Sequence, residues 1–142
     1  MTQLLYIVFF VGLLVTVNGA LIKAVTDLYI PYLDQVLDIC LPETRATPDD
    51  LADLMLEKIP ASHEGKCFIF CMNKNLGIVN EKGVFNYDEA NKYIDPVKEK
   101  NPELYGKLQD GFKKCVVNAK DGDDLCIHLA NLAECVSEVV KG

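Results

Sequence analysis

Six cysteines follow a hydrophobic leader, at Cys40, Cys67, Cys71, Cys115, Cys126 and Cys135, with 26, 3, 43, 10 and 8 residues between successive members. An even count behind an export signal reads as a disulfide framework, so the chain should fold as a small domain held by three bridges. The two short gaps constrain which bridges are possible. Cys67 and Cys71 lie one turn apart on a helix face, roughly 6 Å between Cα atoms with parallel side-chain vectors, which does not suit a bridge between them. Cys126 and Cys135 are separated by about 13 Å of helix, beyond disulfide reach. Six cysteines allow fifteen pairings, and spacing alone does not choose among the rest. It does require each of these two helices to reach two different partners, which makes a cross-linked cage.

Export is read from residues 1–19. Leu4 to Val17 is apolar except for Gly12 and Thr16, and no charge precedes Lys23. The run is too short for a comfortable membrane span, and Val17 and Gly19 occupy the −3 and −1 positions of a cleavage site before Ala20. A signal peptide over 1–19 leaves residues 20–142 as one domain of about 123 residues. The leader carries no charged residue, so the mature chain keeps the whole net charge of −7. That balance argues against nucleic acid and against anionic membrane surfaces, both of which need basic patches. No Asn-x-Ser/Thr sequon occurs.

Apolar residues recur at helical spacing almost throughout the mature chain, and no convincing strand emerges. Leu33, Val36, Leu37 and Cys40 form a first stripe after Pro31. Thr47-Pro48-Asp49-Asp50 is a helix start, with a Thr N-cap, Pro at N1 and two acids against the helix dipole. Leu51, Leu54, Met55 and Ile59 make its apolar face, and Pro60 ends it. A third helix is expected over Gly65 to Leu76, stopped by Gly77. Asn86-Tyr87-Asp88-Glu89 resembles a capping box with Phe85 as staple, opening a short helix that Pro96 closes. Asn101-Pro102-Glu103 opens a helix burying Leu104, Leu108, Phe112, Cys115 and Val116. Asp123 or Asp124 caps a last helix with the stripe Leu125, Leu129, Leu132, Val136 and Val139. The expected fold class is all-α, six helices with short connections.

Enzyme and metal chemistry find no support in the sequence. Zinc thiolate sites usually use CxxC pairs, which are absent. His63 and His128 stand in no catalytic motif, and cysteines in disulfides cannot act as nucleophiles. A small disulfide-rich phospholipase would need a His-Asp pair beside a cysteine-rich helix and a glycine-rich calcium loop, which His63-Glu64-Gly65 does not supply. No enzymatic activity, metal or cofactor is expected.

The pattern Cys40-x26-Cys67-x3-Cys71-x43-Cys115-x10-Cys126-x8-Cys135 resembles the insect odorant-binding protein family, of the pheromone and general odorant-binding type. The x3 and x8 gaps are that family's fixed intervals, and the leader, acidic charge, mature length and helical reading agree over the whole mature chain. The resemblance implies a compact six-helix bundle around an apolar cavity, with bridges Cys40–Cys71, Cys67–Cys126 and Cys115–Cys135. It implies a carrier, secreted into sensillum lymph or another body fluid, that moves small hydrophobic, volatile ligands such as odorants or pheromones through water. An olfactory receptor or a membrane surface would be the point of delivery, and a monomer or weak homodimer the working state. The alternative on the same scaffold is a non-sensory ligand-binding or interaction protein of saliva, venom or reproductive fluid.

Helix faces and the family's pocket positions together nominate Leu33, Leu54, Ile69, Asn73, Leu76, Phe112, Val116 and Ile127 as ligand contacts. Asn73, two residues beyond Cys71, is the candidate to meet a ligand oxygen, and Tyr87, Tyr93 and Tyr105 offer further hydroxyls. Val139 and Val140 are expected to help close one cavity wall. A hollow interior forfeits packing, at roughly 24 cal/mol per Å3 of cavity, and covalent bridges offset that loss.

Overall fold

The computed structural model describes residues 35–55 and 58–142. The leader, Pro31 and Leu33 lie outside the described residues. Six helices are present among them: α1 over residues 35–44, α2 Pro48–Met55, α3 His63–Asn75, α4 Tyr87–Lys100, α5 Pro102–Cys115 and α6 Leu125–Lys141. Among the described residues the one extended pairing is an isolated antiparallel bridge, Val79 with Phe85, in the loop between α3 and α4. The all-α expectation therefore holds.

The helix ends follow from local chemistry. At the start of α2 the Thr47 hydroxyl accepts from the Asp50 N–H at 3.2 Å, and the Asp50 carboxylate accepts from the Thr47 N–H at 2.9 Å. This is a reciprocal capping box with Asp in the place usually held by Glu. Asn101 caps α5 through the Leu104 N–H, and Asp124, rather than Asp123, caps α6 through the Cys126 and Ile127 N–H groups. At the other end of α3, Gly77 takes φ +79°. Its N–H donates to the Lys74 carbonyl, and that of Ile78 to the Asn73 carbonyl. These are the two bonds of a Schellman stop, with glycine where a left-handed residue is required.

Three boundaries differ from the sequence expectation: α2 is helical to Met55 and residues 58–60 are not, so Ile59 lies beyond its apolar face rather than on it. Helix α3 begins at His63, two residues before Gly65, because the Ser62 hydroxyl accepts from the Gly65 N–H at 3.0 Å and caps the helix there. His63 is thus a first-turn helical residue and not part of a loop. Helix α4 does not close at Pro96 but continues to Lys100. Proline removes the N–H that would meet the Lys92 carbonyl, yet Pro96 and Lys92 both face solvent, where water can serve that carbonyl. Ala90, Ile94 and Val97 are buried on either side of it and hold the helix against the core.

Packing centres on α6, which lies against both α3 and α5, while α4 packs on α5 and α2 on α3. The buried side chains form one apolar cluster that includes Val36, Cys40, Phe68, Met72, Ile94, Leu108, Leu129, Val136 and Val140. Three disulfides tie this arrangement together: Cys40–Cys71 joins α1 to α3, Cys67–Cys126 joins α3 to α6, and Cys115–Cys135 joins α5 to α6. These are the pairings that the family resemblance implies. They also obey the helical constraint, since α3 and α6 each reach two partners.

The α2–α3 corner is closed by a chain of polar groups around Asp50, which is only 5% exposed. The Ser62 hydroxyl that caps α3 donates in turn to Asp50, so one carboxylate serves the caps of both helices. The backbone passes so close at this corner that a Cβ on Gly65 would stand 2.4 Å from the Pro60 Cβ and 3.0 Å from the Asp50 Cγ. Replacing Gly65 with alanine should therefore destabilise the fold by about 1–3 kcal/mol despite alanine's better helix propensity. Urea unfolding checks this; an unchanged or raised midpoint would show that the corner relaxes freely.

Candidate functional site

The proposed ligand contacts distribute unevenly. Leu54 from α2, Ile69 from α3, Leu76 at the α3 C-cap and Phe112 from α5 are all buried in the common apolar cluster, and Val116 packs against it half-exposed. The fold thus brings together nominated apolar side chains from three helices, α2, α3 and α5. Ile127 is placed apart from them, in the first turn of α6 and 43% exposed. Leu33 is outside the described residues.

The nominated polar groups are engaged with the protein's own backbone or carboxylates. The Asn73 amide donates to the Ile69 carbonyl one turn back at 2.8 Å. The Tyr93 hydroxyl donates to the Leu76 carbonyl at 3.0 Å, tying α4 to the end of α3. Tyr105 reaches Asp95 at 3.4 Å, and Tyr87 is exposed. At the far end of α6, Val136 and Val140 are buried and Val139 packs against the cluster, so the C-terminal turn is part of the apolar core.

One concave feature was not anticipated from the sequence. The loop from Gly77 to Asp88 encloses an open cleft of about 610 Å3, lined by apolar Val79, Val84, Phe85 and Tyr87 and by polar Asn80, Asn86 and Asp88. The Asn80 side chain shapes it by accepting from the Lys82 and Val84 N–H groups. Phe85 forms its inner wall, with its ring 5.0 Å from Tyr87 and 5.3 Å from Phe112. The cleft therefore backs directly onto a nominated interior residue. The signal was the run Val84-Phe85-Asn86-Tyr87, in which Phe85 and Asn86 registered only as a staple and a cap.

Electrostatics concentrate at two caps. Burial alone would raise the Asp50 pKa, but hydrogen bonds from Ser62 and from the Thr47 backbone and hydroxyl outweigh it and hold the carboxyl below its usual value. Asp124 is likewise lowered, first by its hydrogen bond with His63 and then by the α6 backbone N–H groups it caps. The His63 Nε2 lies 2.7 Å from an Asp124 carboxylate oxygen.

His63, Cys67 and Cys126 place their donor atoms within 4.8 Å of one another, close enough to suggest a metal centre. Both sulfurs belong to one disulfide, however, and a disulfide sulfur is not the thiolate a metal requires. Among the described residues, no helix is long and apolar enough to cross a membrane.

Residues 25–139 match the model of the PBP/GOBP family. The chain is 29% identical over 102 residues to general odorant-binding protein 19d of Drosophila melanogaster, covering 72% of this chain and 67% of that protein. It is 29% identical over 94 residues to general odorant-binding protein 28a of the same organism, covering 61% of this chain and 66% of that protein. The chain thus spans about two thirds of the length of these relatives. No solved structure gives a significant match. With most of its length matched and its three bridges paired in the expected order, the chain belongs to the PBP/GOBP family.

Proposed function

We propose that the protein is a secreted carrier for small hydrophobic ligands, released from its leader before Ala20 and working in an extracellular fluid. The observation that carries this reading is a covalently braced set of helices whose inward faces are apolar, in a chain whose relatives are named odorant-binding proteins. Binding would be sequestration: apolar ligand surface leaves water, at about 25 cal/mol per Å2, while a few polar groups orient it. Leu54, Ile69, Leu76, Phe112 and Val116 are the proposed apolar contacts and Asn73 the proposed polar one. No chemistry on the ligand is involved. The net charge of −7 suits free diffusion in fluid rather than adhesion to anionic surfaces.

Displacement of an apolar fluorophore by a panel of volatiles and lipids tests the proposal. The expected result is saturable binding that at least one panel member reverses. Substituting Phe112 with leucine, a change the core should tolerate, is expected to weaken the fluorophore by roughly three- to tenfold through lost aromatic area. A protein with intact disulfides that binds no apolar compound would overturn the carrier reading. Tissue distribution separates a sensory carrier from one of salivary, venom or reproductive fluid.

A further inference from the structure

The three disulfides are not equivalent. Cys40 and Cys71 are buried, as is Cys115 of the third pair, whereas Cys67 and Cys126 are both half-exposed. This bridge alone has an imidazole against it. His63, one turn before Cys67 on α3, sets Nδ1 3.6 Å and Nε2 3.8 Å from the Cys67 Sγ. Its other nitrogen is fixed by the Asp124 carboxylate, 2.7 Å away, and Asp124 is itself locked in place as the α6 N-cap. A carboxylate can only accept, so Nε2 carries a hydrogen toward Asp124, and the ring stands beside the Cys67 sulfur with both nitrogens within 4 Å of it. Asp124, His63 and Cys67 thus stand in the carboxylate–imidazole–sulfur order that stabilises a thiolate.

We propose that Cys67–Cys126 is a thiol–disulfide exchange site, with Cys67 as the leaving sulfur and His63 as the group that receives it. The co-reactant is a small-molecule thiol or a protein dithiol. Its thiolate, having lost its proton to solvent, attacks the Cys126 Sγ and forms a mixed disulfide there. The Cys67–Cys126 S–S bond breaks and its electron pair departs on the Cys67 Sγ. A proton taken up from solvent at Nδ1 lets the His63 ring donate to that thiolate and pass the proton to it, while Asp124 stays hydrogen-bonded to Nε2. A second equivalent of thiol attacks the mixed disulfide, leaving two protein thiols and one oxidised disulfide of the reagent. Exchange rates rise as the leaving thiol becomes more acidic, and a neighbouring cationic imidazole makes it so. Reduction here would untie α3 from α6 and leave the other two bridges in place.

The test is limited reduction of the full mature protein with reduced glutathione, quenched by iodoacetamide and mapped by peptide mass spectrometry. Cys67 and Cys126 should be alkylated first, and a glutathione adduct trapped in transit should sit on Cys126. His63 is exposed, so His63→Gln should fold normally, and it should slow this first step on the order of five- to tenfold. The reduction rates of Cys40–Cys71 and Cys115–Cys135 should be unaffected. First labelling at either of those bridges would overturn the proposal, as would a His63→Gln protein reduced at the wild-type rate.

Discussion

Replacing Cys67 and Cys126 together by alanine should cost more stability than opening either other bridge in the same way. The three bridges close loops with sequence separations of 59, 31 and 20 residues. On the chain-entropy account they restrict the unfolded state by about 4.3, 3.7 and 3.3 kcal/mol respectively, as upper values. Against a total stability of roughly 5–15 kcal/mol, any of these is a large share. The order matters because native burial ranks the bridges differently. Cys40–Cys71 is the most deeply buried pair, so serines in its place would leave hydroxyls in an apolar cluster. Alanine pairs avoid the buried hydroxyls, and urea unfolding of the three alanine double variants sets loop closure against lost packing. The Cys67/Cys126 variant is expected to have the lowest midpoint. If the Cys40/Cys71 variant is lowest instead, lost core packing outweighs chain entropy.

Substituting Asp50 with alanine should lower the unfolding free energy by about 2–4 kcal/mol at neutral pH, the second-largest expected effect. The change leaves the Ser62 hydroxyl and the Thr47 N–H without their acceptor and loosens the start of both α2 and α3. The pH dependence identifies the mechanism. The folded-state pKa of Asp50 lies below its ordinary value. Its stabilisation is therefore fully present above the unfolded pKa, about 3.9, and is lost as pH falls through the lower folded value. The gap between wild type and Asp50→Ala should accordingly narrow below about pH 4. A gap that stays constant down to pH 2 would mean the carboxylate's charge plays no part and only its shape is missed.

Much of this architecture was legible in the chain. Thr47-Pro48, Asn86, Asn101-Pro102 and Gly77 are local signals, and each governs the helix end it was expected to govern, because a cap is satisfied within four residues of itself. The helical stripes likewise placed Leu54, Phe112, Leu129 and Val136 on buried faces. Pro96 misled because its local penalty was outweighed by contacts of Ile94 and Val97 with residues distant in sequence. The cleft at 77–88 escaped notice for a similar reason. Its inner wall exists only because Phe85 meets Phe112 across the fold.

The sequence by itself determined the helical class, the caged topology required by helical register, and, through the x3 and x8 intervals, the family. These follow from spacing along the chain, which a helix converts into geometry by a constant rise and turn. Tertiary structure alone decided that Asp50 would serve two helices, that Gly65 would meet Pro60, and that Asp124 would hold His63 against the Cys67–Cys126 bridge. In each case the partners come from separate elements, and their meeting depends on how α2, α3 and α6 pack, which no local interval encodes.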